Sequence, residues 1–99
     1  MDRDHQCRKI AHWMGHPTRV PSYYANWGAL MEVLHRIEAD SHAFLISSQQ
    51  CIIHRGNPDS WVAHERADTT IDATFNAVSV YVNQFKIKGF PGYTERIEA

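Results

Sequence analysis

Ile71, Phe75, Val78, Val82 and Phe85 recur at steps of four, three, four and three. With 3.6 residues per turn, that spacing gathers them into one stripe of an α-helix. The stripe predicts a closing helix capped by Asp68 or Thr69 and running to about Phe85. Burying its apolar side chains is worth on the order of 7–15 kcal/mol before chain entropy is subtracted. A polar substitution at Val78 is therefore expected to unfold the domain.

Tyr23, Tyr24, Trp27, Leu30, Met31, Val33, Leu34 and Ile37 draw a second helical face. Its helix is expected to begin near Asn26, a good cap for free N–H groups, and to reach about Ala39. Trp27, Leu30, Met31, Leu34 and Ile37 form the predicted buried stripe. Glu32, Arg36 and Glu38 fall on the wet side, where Glu32 and Arg36 are spaced for an i,i+4 ion pair. A first helix is predicted over 4–14, with Cys7, Ile10, Ala11 and Met14 on one face and Asp4 as its cap. Gly15 and Pro17 end it, and 16–22 form a loop.

Three short runs rich in apolar, β-branched or aromatic residues lie between the last two helices, at 43–47, 51–55 and 61–66. Their links, 48–50 and 56–60, are too short for a parallel crossover, so the strands form an antiparallel meander. The order is α-α-β-β-β-α, an α/β (α+β) fold. Phe44, Ile46, Ile52 and Val62 compete with Leu45, Cys51, Ile53 and Trp61 for the inner face. Apolar residues at both parities predict a sheet sandwiched between helices. If one face were left open, a homodimer would be expected to cover it. The domain spans 1–86, and 87–99, with Phe90-Pro91-Gly92-Tyr93, read as a tail or a docking segment.

At 99 residues the chain is one domain, able to hide roughly 60–65% of its unfolded surface. A formal charge of −1 argues against a broad nucleic-acid surface. Two cysteines, Cys7 and Cys51, are too few for a disulfide framework. No apolar run approaches the ~20 residues of a membrane span, and the N-terminus lacks a signal-like stretch. A soluble, cytoplasmic protein is expected.

Ile10-Ala11-His12-Trp13-Met14-Gly15, the Tyr23-to-Ile37 helix with its Trp27-x-x-Leu30-Met31-x-Val33, and the segment from Trp61 through Ala73-Thr74-Phe75-Asn76-Ala77-Val78 resemble small phage and prophage proteins with the phage ABA-sandwich domain. The likeness covers roughly residues 8–86, and its motifs are packing motifs. It implies an αβα sandwich and a mobile-element or bacterial setting. The family's role is undefined, so no site residue is carried over from it.

Cys7-x4-His12-x3-His16 has the nearest thing to metal-ligand spacing. Cys7 sits on a different helix face, however, and Gly15 breaks the helix before His16. His54 and His64 are expected on one sheet face, with Glu65 and Asp68 near enough in sequence to orient a general base. No nucleophile elbow or phosphate loop accompanies them. Tyr23, Tyr24 and Trp27, beside Arg19, read either as a stacking platform for a small ligand or nucleotide or as the entry staple of the second helix. No cofactor is implied. The reading that follows is a non-enzymatic accessory protein that binds a host or phage protein, with a host-defence antagonist as one concrete version.

Overall fold

The computed structural model describes residues 3–16, 18–40, 42–55 and 61–84. The predicted turn at 56–60, Phe85 and the tail from residue 87 lie outside the described residues. Three helices and a three-stranded antiparallel sheet pack together as an α+β fold in the expected order.

Helix α1 spans Arg3–Met14. It starts one residue before Asp4, which therefore sits inside the first turn rather than capping it, where its charge complements the helix dipole. Gly15 adopts φ +85°, and its N–H donates to the His12 carbonyl at 3.0 Å while that of His16 donates to Ala11 at 2.8 Å. These two bonds form a Schellman motif, which uses glycine's freedom to satisfy the last carbonyls.

A 3-10 turn, Tyr23–Ala25, leads into α2, Trp27–Ala39. Asn26 caps α2, its side-chain oxygen accepting from the Ala29 N–H at 3.1 Å. Leu30, Val33, Leu34 and Ile37 are buried, and Met31 is half-buried. Trp27 departs from its predicted place in the stripe. It lies in the first turn and is 40% exposed. The expected Glu32–Arg36 ion pair does not form, because Arg36 turns to α1 instead.

Strands β1 (Ala43–Ser47), β2 (Gln50–His54) and β3 (Trp61–Arg66) pair in sequence order. The β1–β2 link is two residues long, and Gln49 takes φ +61°, an uncommon conformation for a side chain of this size. Three bonds to the segment 67–70, which leads into the last helix, hold it there. The Gln49 N–H donates to Thr70 Oγ1 at 3.3 Å and its Nε2 to the Asp68 carbonyl at 3.0 Å, while the Ala67 N–H donates to the Gln49 carbonyl at 3.1 Å.

Helix α3 spans Thr70–Val82 and is capped by Thr69, whose Oγ1 accepts from the Asp72 N–H at 3.2 Å. It ends three residues short of the predicted Phe85. Ala73, Thr74, Phe75, Ala77, Val78, Ser79, Tyr81 and Val82 are all buried, so more than one stripe is hidden. The helix packs on the sheet with one side, and α1 and α2 pack against it from others. Small Ala73 and Ala77 permit that crowding. The buried hydroxyls of Thr74 and Ser79 bond back to the carbonyls four residues earlier, each at 2.8 Å.

Cys51, Ile53 and Ala63 face this core, with Phe44 and Ile46 packed beside them. Leu45, Ile52 and His64 lie opposite one another on the other parity, and Leu45 is 50% exposed. Leu45 and Ile52 take no part in the core. Helical cover over this second face, expected from its apolar residues, does not come from the described residues.

Candidate functional site

The aromatic segment before α2 divides by burial. Tyr23 is 2% exposed and belongs to the core. Burial pushes its hydroxyl up to about 12, and the neighbouring Cys7 and Glu32 charges act in the same direction. The Cys7 thiol meets the backbone N–H groups of Tyr23 and Tyr24, which favour the thiolate, but burial outweighs them and raises its pKa. Tyr24 is half-buried, set edge-on against Phe75 at 5.9 Å between ring centroids. Its ring carries the Arg3 guanidinium 5.3 Å from the centroid, and Arg3 also pairs with Asp72 at 3.3 Å.

Of the three rings, Trp27 is the exposed one. Arg19 is exposed on the loop and lines a recess of about 440 Å³ with His16, Pro21 and Glu32. None of the three aromatic rings lines that recess. The four residues grouped by sequence therefore do not form one stacking platform. Tyr23 anchors the core, Tyr24 is covered by Arg3, and Trp27 and Arg19 face solvent.

The metal-like triad is not assembled. Cys7 is buried, His12 is half-buried and His16 lies beyond the Gly15 turn. Among the described residues, no three His, Cys, Asp or Glu side chains gather as a metal site would require. The sheet histidines fare differently from their proposed carboxylate. Glu65 stands opposite Cys51 and His64 opposite Ile52, so these adjacent residues point to opposite faces. His54 is buried at a register shift, and its Nδ1 has no hydrogen-bond partner among the described residues.

A cluster that sequence reading missed lies where the C-terminal ends of α1, α2 and α3 meet. The Arg36 guanidinium sits 4.4 Å from the Trp13 ring centroid and donates to the Trp13 carbonyl. Trp13 packs edge-on against Tyr81 at 5.9 Å, and His42 does so at 5.1 Å. The Tyr81 oxygen lies 3.2 Å from His42 Nδ1, and that nitrogen is 3.0 Å from the Asp40 carbonyl. Burial raises the Tyr81 pKa, and Asp40 adds to the rise while Arg55 and Arg36 oppose it. Helix C-termini carry partial negative charge, so the basic side chains at this corner are electrostatically matched to the fold itself. No local pattern announces the cluster, because Trp13, Arg36 and Tyr81 belong to three different helices.

No family model, curated protein or solved structure matches this chain.

The functional reading therefore rests on its own surface. Two recesses flank the loop before the 3-10 turn and share Pro21. One is the 440 Å³ space beside Arg19; the other, of about 240 Å³, is lined by Asp4, Cys7, Arg8, Val20, Pro21 and Ser22. Large apolar side chains exposed on the described surface are Val20, Trp27 and Leu45. No described helix is long and apolar enough to cross a membrane.

Proposed function

We propose that this chain is a non-enzymatic accessory domain that acts by binding another protein, with Trp27 as the central anchor of its contact surface. The observation that carries the reading is the placement of Trp27. It stands 40% exposed on a helix turn fixed by the Asn26 cap, while neighbouring Tyr23 and Leu30 are buried. A large amphipathic ring on rigid backbone loses little entropy on docking, which is why tryptophan is enriched among residues that dominate binding energy.

The phage or prophage setting is part of this proposal and rests on the sequence resemblance. A host protein, such as a component of host defence, is the partner that setting suggests. The test compares immobilised wild-type protein with Trp27→Ala in bacterial lysate, read by quantitative mass spectrometry. The proposal expects a specific protein retained by the wild type and lost from a variant that still folds. Equal retention by both proteins would remove Trp27 from the interface.

A further inference from the structure

We propose that the recess between the end of α1 and the second turn of α2 binds a small molecule carrying both a carboxylate and an ammonium group. Among the described residues, its polar and charged lining is the His16 imidazole with Arg19 and Glu32 of opposite sign. The backbone under each is fixed. His16 follows the Schellman turn, its N–H bonded to Ala11, and the Arg19 N–H donates to the His16 carbonyl at 3.3 Å. Glu32 stands on the wet side of α2. Pro21, shared with the neighbouring recess, restrains the loop between them.

Arg19 and Glu32 line one space without forming an ion pair across it. Opposite charges held apart around a common space select a dipolar guest. An anion alone is attracted by Arg19 but repelled by Glu32; a cation alone meets the reverse. A molecule with both charges satisfies both walls at once. The volume, about 440 Å³, lies within the range of small-molecule sites, roughly 300–1,000 Å³. Trp27, the anchor of the proposed protein contact, does not line the recess.

The test is an NMR titration of the full chain with unbranched ω-amino acids from glycine to 6-aminohexanoate, with butyrate and butylammonium as single-charge controls. At least one amino acid is expected to give saturable shifts at Arg19 and Glu32, with millimolar affinity. Arg19→Gln and Glu32→Gln should each weaken it about threefold to fivefold, the scale of charge pairs near a wet surface. The swap of Arg19→Glu with Glu32→Arg should recover binding, since it reverses the dipole without removing it. All three variants change exposed side chains, and unchanged thermal melting confirms the fold. Butyrate binding as well as the amino acids, with Glu32→Gln indifferent, would make this a plain anion site and overturn the proposal. The absence of saturable shifts across the series would also overturn it.

Discussion

Arg36 covers the Trp13 ring at 4.4 Å and at the same time donates to the carbonyl of Trp13. One side chain thus ties the last turn of α2 to the last turn of α1 through a ring face and a backbone acceptor. The interaction needs both the flat guanidinium and its fork of N–H donors. Arg36→Lys should therefore destabilise the domain almost as much as Arg36→Ala, by about 1–2 kcal/mol. Urea unfolding of the two variants checks this; a lysine variant as stable as wild type would reduce the contact to simple charge.

Tyr81 and His42 join α3 to the start of β1. With the imidazole proton on Nε2, the Tyr81 hydroxyl donates to Nδ1; with it on Nδ1, His42 donates to the Asp40 carbonyl. Tyr81→Phe keeps the ring contacts with Trp13 and His42 and removes only the hydroxyl. It is expected to cost about 1 kcal/mol. A double-mutant cycle with His42→Ala should show positive coupling of about 0.5–1.5 kcal/mol.

Alkali should unfold this protein through two buried acids. Tyr23 is pushed up to about 12 and Cys51 to about 11, in both cases chiefly by burial. These folded-state values lie above the ordinary 10 and 9, so the unfolded chain sheds the protons first as pH rises. Their contribution to stability is whole below about pH 9 and is lost as pH climbs through 11 and 12, with a total on the order of a few kcal/mol. Thermal melting across pH 8–12 should show that decline, and Tyr23→Phe should shift its upper part to higher pH.

Tyr23 and Trp27 separate packing from binding. Tyr23→Ala empties a core position and should cost about 3–5 kcal/mol. Trp27→Ala trims an exposed ring and should cost within about 1 kcal/mol. Denaturant midpoints for the two variants distinguish the roles before any partner is known.

Gly15→Ala isolates a conformational effect. Among the described residues, a Cβ at this position meets nothing within 4 Å, so sterics with the described elements play no part. The φ of +85° alone should cost about 1 kcal/mol, measured by the same unfolding experiment.

The helices, the strands and the caps of α2 and α3 were legible in the sequence because each depends on neighbours in the chain. The Ile71–Phe75–Val78–Val82 stripe, the Asn26 cap and the short β1–β2 link are local patterns, and α3, α2 and the antiparallel pairing follow from them. The surface was less legible. Trp27 has the spacing of a core residue and Tyr23 the look of a site residue, yet the structure exposes the first and buries the second.

What the sequence by itself determined is thus the element order, the sheet pairing and most of the core, since hydrophobic period and turn chemistry act over a few residues. What only the tertiary structure decided is which side chains meet across elements. Arg36 chose Trp13 over Glu32, Glu65 was turned to the face opposite His64, and Arg19 and Glu32 came to line one recess. Those outcomes depend on how helix ends and strands pack in space, and a periodicity along one element does not encode what another element places opposite it.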